Sequence, residues 1–500
     1  MSVPTKEQTR HPVRPVKSGG VTRAGARGRG TFSRLASDFI RLSFYPLLQR
    51  RWYPSAFQYL REFQEHEYSP LETIQEIQKQ KLKSLLQHAA DHVPYYQELF
   101  RSQGIKPADI RSFRDFARIP VLTKATIHER GNEIRAENMK PREVRPNASG
   151  GSTGKPVRFY QDARYWDYAI ASQWFVESWW GIRPGDPTAS IWGTDRDLPS
   201  LHWKERLSGS ICQVRICNAF GLTKDRLEEF AEELNAWQPC FIIGYASALY
   251  LFARFVMERP YLSIRPHAAK STAEVLTDEE RTTIEQAFRC PVYNFYGSRE
   301  VNNLAAECPA HKGLHVNALT RYIEVVDGAG KPLGPFQPGR LLVTDLTNYA
   351  MPFIRYETED IGTWSDAPCS CGRPFPLLAN ILGRKSDFIV SPEGKLIHGE
   401  YFTHMFYGMP EVTEFQLIQE SLTHVRMRVV LKPGAGQSIL ESLRNRLGEV
   451  FGSTAICEVA AVSEIQRPPS GKHRFTISNV PVPWGHLGPA FRLRDGQEDQ

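Results

Sequence analysis

The chain has 500 residues, 41% of them hydrophobic and 23% charged, the balance of a soluble globular protein long enough for two or three domains. Its net charge of +7 sits largely at one end, where residues 1–30 hold Lys6, Arg10, Arg14, Lys17, Arg23, Arg27 and Arg29 against Glu7 alone. The remainder is close to neutral, which leaves a nucleic-acid partner without electrostatic footing.

Residues 1–31, rich in Pro, Gly, Ser and Thr as well as base, predict a disordered tail. They lack the uninterrupted apolar core of a signal peptide. No run of about twenty apolar residues occurs, so no transmembrane span is expected. Eight cysteines at irregular spacing in a chain of this size do not form a disulfide framework; a reduced, cytoplasmic protein is expected. The segment up to Tyr53 (FIRLSFYPLLQRRWY) is aromatic and basic. It is read as an amphipathic helix with two placements open, capping the domain or lying on a membrane surface.

Apolar residues at helical spacing (Leu71, Ile74, Ile77, Leu82, Leu85, Leu86) predict a helix over 70–90, ended by Pro94 with Tyr95 and Tyr96. The stretch SGGSTGKP at 149–156 follows. Its glycines permit positive φ and close backbone approach, its hydroxyls add donors, and Lys155 adds charge, a composition that suits either an anion-binding loop or a plain surface turn. The alternating VRFYQD at 157–162 reads as a strand. A strand, a small-residue loop and a second strand predict a β-hairpin clasp. Pro156 stands where a Walker-type loop needs Ser or Thr for magnesium, and no helix follows directly.

Trp166, Trp174, Trp179 and Trp180 are spaced as core residues of a helix, whereas Trp192 ends a strand-like run. Beyond it, helices over 224–237, 248–257 and 277–288 alternate with strands over 240–247, 268–275 and 292–296, the signature of parallel βαβ units. Such sheets bind ligands beyond the carboxyl ends of their strands. There the sequence places Gly244-Tyr245, Ala273-Glu274 and Tyr296 to Glu300. After Arg321 the period becomes two, predicting an antiparallel β subdomain. A break near Gly383 precedes a small α+β region. The fold class expected is α/β: a large N-terminal domain over 32–384, a small mobile domain over 385–482, and an irregular end over 483–500.

Five segments together resemble the adenylate-forming enzymes that include acyl- and aryl-CoA synthetases: SGGSTGKP at 149–156, YGSRE at 296–300, RYETEDIG at 355–362, GRKSD at 383–387 and SGKHR at 470–474. QKQKLKSLLQHAADHVPYYQELF at 78–100 and IPVLTK at 119–124 bring the chain closest to the phenylacetate–CoA ligase-like branch, whose members often serve polysaccharide or secondary-metabolite pathways. The likeness spans residues 32–480. It implies attack of a carboxylate on the α-phosphate of ATP, then transfer of the acyl group to a thiol such as coenzyme A. The other readings are transfer to a sugar amine or carrier-protein thiol, and a nucleotide-binding scaffold without catalysis.

By resemblance, Ser149, Gly151, Ser152, Thr153, Gly154 and Lys155 wrap the β- and γ-phosphates. Tyr296 stacks on adenine beside Gly297, Ser298 reaches the α-phosphate, and Glu300 holds Mg²⁺ as a hard oxygen ligand. Glu274 matches an adenine-pocket position. Asp360 takes the ribose hydroxyls, and Arg384 contacts ribose or phosphate. Ser386 stands at the hinge, where Asp or Lys is commoner. Lys472 is the catalytic lysine, delivered by the small domain. Glu359 departs from a usual glycine. Trp192, Gly244 and Tyr245 line the acid pocket, whose aromatic content hints at an apolar or aryl acid.

Cys308, His311, His315, Cys369 and Cys371 form a second constellation. Folding could assemble the soft tetrahedral set that zinc prefers, or leave buried free thiols. The CxxH spacing favours His311, with His315 at a strand start nearly as good. Cysteine pairs of this kind in the resembling branch imply a structural zinc. Cys212, Cys217, Cys240, Cys290 and Cys457 read as small core residues.

Overall fold

The N-terminal region is helical, with helices Ala56–Glu65, Leu71–His92 and Pro94–Ser102. In the second of these Ile74, Leu82, Leu85 and Leu86 are buried, as their spacing requires. Pro94 does more than end that helix. Val93 is extended (φ −120°, ψ 106°), and Pro94 opens the next helix at a position where its missing N–H is no loss. Tyr95 and Tyr96 are therefore buried helical residues. The structure, a computed structural model, describes residues 37–149, 157–192, 212–217, 224–384, 388–392, 396–398, 402, 405–406, 409, 411–435, 437–452, 455–466 and 475–480.

Strands β1 (Val144–Ala148) and β2 (Arg158–Asp162) pair antiparallel, Val144 opposite Asp162 and Ala148 opposite Arg158. The glycine-rich loop thus joins two strands of one hairpin, and the hairpin reading holds. Ser149 begins its closure: its N–H donates to the Val157 carbonyl and its Oγ accepts from the Val157 N–H, both at 2.9 Å. Asp162 then caps the helix Ala163–Trp179 by accepting the Tyr165 N–H at 2.7 Å. Trp174 and Trp179 are buried in that helix and Trp180 caps it, so its apolar residues run round the helix as in a core element.

One sheet of eleven strands organises the rest. Its parallel half comprises β3 (Thr188–Ile191), β4 (Val214–Cys217), β5 (Phe241–Tyr245), β6 (Ala268–Thr272) and β7 (Val292–Ser298). Helices Lys224–Trp237, Ala246–Met257 and Asp278–Phe288 make the crossovers. Every residue of β6 is buried, as expected where helices cover both faces; Lys270 is tolerated there because Glu177 accepts its charge at 2.8 Å.

The antiparallel half comprises β8 (Asn302–Glu307), β9 (Leu314–Val316), β10 (Arg321–Val326), β11 (Gly339–Asp345), β12 (Tyr356–Trp364) and β13 (Leu377–Arg384). The order is β10-β11-β12-β13-β9-β8-β7-β6-β5-β3-β4. The period-two strands after Arg321 are thus the continuation of the parallel sheet, joined to it through β8 and β9.

Beyond β13, β14 (Phe388–Val390) pairs with β15 (Leu396–His398). A separate four-stranded sheet takes the order β18-β17-β16-β19, from β16 (Val412–Ser421), β17 (His424–Leu431), β18 (Ile456–Ala461) and β19 (Thr476–Ser478). The helix Ser438–Phe451 buries Leu443, Leu447 and Phe451 with Leu417, Val425, Met427 and Val429, a hydrophobic cluster distinct from those of the large sheet. Strand β19 was not anticipated from the sequence; it lies parallel to β16. Among the described residues no helix is long and apolar enough to cross a membrane.

Candidate functional site

The carboxyl ends of β3, β5, β6 and β7 lie side by side because these strands are parallel and adjacent. Trp192 follows β3 and its ring lies 4.7 Å from that of Tyr245 at the end of β5. Gly244 sits where a Cβ would meet Leu249 Cγ at 2.9 Å and the Ile191 carbonyl at 3.1 Å, so glycine here answers a close approach. After β6, Ala273 is left-handed (φ 67°), and the Glu274 carboxylate accepts the Ser247 N–H at 2.9 Å. It thereby serves a helix N-terminus whose own cap residue, Tyr245, supplies no side-chain bond.

Strand β7 delivers Tyr296, Gly297 and Ser298, and the following turn delivers Glu300. Gly297 is again forced, since a Cβ would come within 2.8 Å of the Asn302 carbonyl. The Ser298 hydroxyl accepts the Val301 N–H at 3.3 Å, bracing the turn. Strand β12 meets β7 from across the sheet. Its residues 356, 358 and 360 share one face by the two-residue period, and each reaches this group. Tyr356 donates to Glu300 Oε1 at 3.1 Å, and Tyr296 donates to Asp360 Oδ2 at 2.6 Å with Thr358 Oγ1 at 3.4 Å. In a flat sheet the four strand steps between β12 and β7 would span about 19 Å. The side-chain contacts therefore require the sheet to curl, and the curl makes the site.

Glu300 is 8% exposed. Its backbone is held as well, since Gln161 of β2 donates to the Arg299 and Glu300 carbonyls at 3.1 and 3.2 Å. This ties the glycine-loop hairpin to the YGSRE turn. Burial, and then the Glu300 charge, raise the Tyr356 phenol well above its ordinary pKa, so it remains a donor to the carboxylate. Glu359 is left-handed (φ 68°), and Lys124 of the IPVLTK segment pairs with it at 2.5 Å. That segment docks beside β12 through Leu122, whose N–H donates to the Arg355 carbonyl at 3.1 Å. The Arg384 backbone lies opposite Asp360 in the β12–β13 ladder.

Tyr296, Glu300 and Asp360 are thus brought together with Gly297 and Ser298. Gly151, Ser152, Thr153, Gly154, Lys155, Ser386, Lys472 and the Arg384 side chain lie outside the described residues. Sequence reasoning missed Tyr356, Thr358 and Lys124. The first two carried a signal, their alternation with Asp360; Lys124 carried none, being 235 positions from its partner.

The second constellation assembles as Cys308, His315, Cys369 and Cys371, whose ligand atoms all lie within 4.8 Å of one another. Cys308 and Cys369 sulfurs are 3.5 Å apart, and Cys371 sulfur is 3.3 Å from His315 Nε2. A tetrahedron with zinc–sulfur bonds of about 2.3 Å has edges of about 3.8 Å, so the set fits. Main-chain N–H groups of Ala310 and Arg373 donate to Cys308 and Cys371, and His315 Nδ1 lies 3.3 Å from the Phe375 carbonyl. Outer bonds of this kind orient metal ligands. Hydrogen bonding from Cys308 and from His315 lowers the Cys371 thiol, while Cys308 is raised.

His311 is not in the set, which corrects the preference for CxxH spacing. It is left-handed (φ 49°), contacts Glu307 at 3.2 Å and stacks on Tyr293 at 5.2 Å. The β8–β9 register puts His315 opposite Ala306 instead, two residues from Cys308. Of the other cysteines, Cys217 and Cys290 are buried and Cys212, Cys240 and Cys457 half-buried. Burial pushes the Cys290 thiol up to about 12, in keeping with inert core residues.

Residues 389–479 match the family described as the CapK C-terminal domain. Over 413 residues the chain is 25% identical to the protein CapK of Staphylococcus aureus, covering 81% of this chain and 89% of that one. It is 28% identical over 436 residues to a phenylacetate–coenzyme A ligase of Aromatoleum evansii, covering 82% and 95%. Among solved structures it is similar to 2-hydroxyisobutyryl-CoA ligase in the postadenylation state with an acyl-AMP. There the TM-score is 0.65 at 21% identity, over 83% of this chain and 91% of that one. That likeness establishes the fold.

Proposed function

We propose, from the similarity to CapK and the phenylacetate–coenzyme A ligases and the fold shared with 2-hydroxyisobutyryl-CoA ligase, that this chain activates a carboxylic acid with ATP, releasing pyrophosphate, and passes the acyl group from the adenylate to coenzyme A. The observation that carries this reading is the convergence of Tyr296, Asp360 and Glu300. An aromatic ring for a base, a carboxylate for a ribose diol and a buried carboxylate for a cation meet in one curl of the sheet.

In this reading Tyr296 flanks adenine with Glu274, Asp360 accepts the ribose hydroxyls, and Arg384 contacts ribose or phosphate. Ser149, Gly151, Ser152, Thr153, Gly154 and Lys155 hold the outer phosphates, and Ser298 the α-phosphate. Glu300 would hold Mg²⁺, which neutralises phosphate charge when bound. Lys472 is assigned to the developing charge at the carboxylate and α-phosphate. Trp192, Gly244 and Tyr245 border the acid. The unit over 32–384 binds both substrates, and the unit over 385–482 turns about Ser386 to exchange Lys472 for the thiol. A cytoplasmic location fits these substrates. Cys308, His315, Cys369 and Cys371 would hold a structural zinc that pins the β12–β13 loop to β8 and β9.

A second reading is favoured by the match of residues 389–479 to the CapK C-terminal domain: the acceptor is a sugar amine or carrier-protein thiol in polysaccharide assembly. Carboxylate-dependent ATP–pyrophosphate exchange over a panel of acids tests both. Exchange with consumption of CoA is expected, and Lys472→Ala or Glu300→Ala should slow it about a hundredfold or more. Exchange without CoA consumption selects the second reading. ATP binding with no exchange for any acid rejects both.

A further inference from the structure

Among the described residues, sixteen large hydrophobic side chains are exposed, and five of them fall within fourteen positions: Phe39, Leu42, Phe44, Leu47 and Trp52. They lie on the helical segment that begins at Ser37, passes through the wide turn Ile40–Phe44, and continues as the helix Tyr45–Trp52. The inner face of this segment already has its partners. Tyr45 and Gln49 are buried, with the Tyr45 ring 6.2 Å from that of Trp174. Ser37 Oγ donates to Gln213 Oε1 at 2.6 Å, and Arg41 pairs with Asp38 at 3.0 Å and Asp186 at 3.5 Å. Docking on the domain therefore accounts for one face and leaves the other turned to solvent.

That outer face is markedly apolar. Leu42 and Leu47 are 66% and 65% exposed, and the Phe39 and Phe44 rings touch only edge to face, at 5.7 Å. Arg50 and Arg51 are exposed at the same end as Trp52. Asp38, the one acid between Ser37 and Pro54, is paired with Arg41. The chain immediately before it, residues 1–36, carries eight Lys and Arg against Glu7.

We propose that this outer face is a peripheral docking surface for an anionic lipid bilayer. Large apolar side chains on the exposed side of an amphipathic helix enter the headgroup–acyl boundary, and the arginines remain at headgroup level. Either signal alone binds weakly; an apolar face with a polybasic segment gives the pair that stable association needs. The same charges oppose a second copy of the chain, because a two-fold interface would bring the like basic segments together. The inference is independent of the reaction assigned to the ATP site.

The test is sedimentation of the full chain with phosphatidylcholine vesicles containing or lacking phosphatidylglycerol. Binding is expected only with the anionic lipid, and should weaken as salt shortens the screening length towards about 3 Å. Arg50→Glu with Arg51→Glu should lower the affinity by roughly twentyfold or more. Phe39→Ser/Leu42→Ser/Leu47→Ser should lower it by more than about tenfold, with an unchanged melting temperature because these positions are solvent-facing. Absence of binding to anionic vesicles overturns the proposal, as does binding that the serine variant leaves intact. A concentration-dependent dimer in sedimentation velocity, abolished by the serine variant, would assign the face to a second copy and also overturn it.

Discussion

Glu359 and Tyr296 show how much single residues decide here. The position of Glu359 is one where the resembling enzymes usually have glycine, and its backbone explains why: φ is 68°, a conformation that costs a non-glycine residue roughly 1–2 kcal/mol. The Lys124 ion pair offsets part of that cost, though with the Glu359 side chain 32% exposed such a pair is worth about 1 kcal/mol at most. Glu359→Gly should therefore leave stability in urea unfolding unchanged or raise it, by no more than about 2 kcal/mol. Lys124→Ala, which removes the tether without relieving the strain, should be the more damaging of the two. Tyr296→Phe keeps the ring and loses its bond to the Asp360 carboxylate. A bond to a charged group contributes about 1.5–3 kcal/mol to stability, so the melting temperature should fall, and KM for ATP should rise as Asp360 loses the group that orients it. An unchanged KM would separate the Tyr296–Asp360 pair from ATP binding.

At the scale of elements, Asp162 is the joint between the hairpin, the tryptophan-bearing helix and the loop before β12. Its carboxylate accepts the N–H groups of Tyr165, Tyr349 and Ala350 at 2.7, 2.7 and 3.1 Å. Asp162→Ala removes a helix cap and orphans the Tyr349 N–H, while the Ala350 N–H keeps Asn348 Oδ1 at 3.2 Å, so it should cost about 2–4 kcal/mol by urea unfolding. A loss near 1 kcal/mol would reduce the residue to a plain N-cap. The Cys/His cluster joins elements in the same way: Cys308 follows β8, His315 lies in β9, and Cys369 and Cys371 sit between β12 and β13. Purified protein should contain stoichiometric zinc, and a chelator or Cys369→Ser should remove it and lower the melting temperature. Protein free of metal with an unshifted melt on chelation would leave four ligand groups, three of them buried, and no ion.

For the whole molecule the decisive feature is the pair of sheets with separate cores. The four-stranded sheet closes its own hydrophobic cluster around Leu417, Met427 and Leu447. In the proposed reaction this body turns as a unit, with Ser386 assigned as the hinge. Ser386→Pro, which stiffens that hinge, should leave ATP–pyrophosphate exchange within a few-fold and slow thioester formation much more. Equal loss of both half-reactions would place no turning step between them. Lys472, to which the proposed function assigns the catalytic role, lies four positions before Thr476 in the sequence, and Thr476 begins β19, which pairs with β16.

By itself the sequence determined most element types and the hairpin around SGGSTGKP, and it singled out Tyr296, Glu300 and Asp360. The first two follow from local periodicity, the last from the resemblance of short motifs. The tertiary structure alone decided what depends on strand register and sheet curvature. It joined the antiparallel strands to the parallel sheet, folded Tyr356 and Thr358 onto the YGSRE turn, chose His315 over His311, and paired Lys124 with Glu359. Each of these is a contact between groups far apart in the chain, set by which strands lie side by side, and spacing along the sequence does not record it.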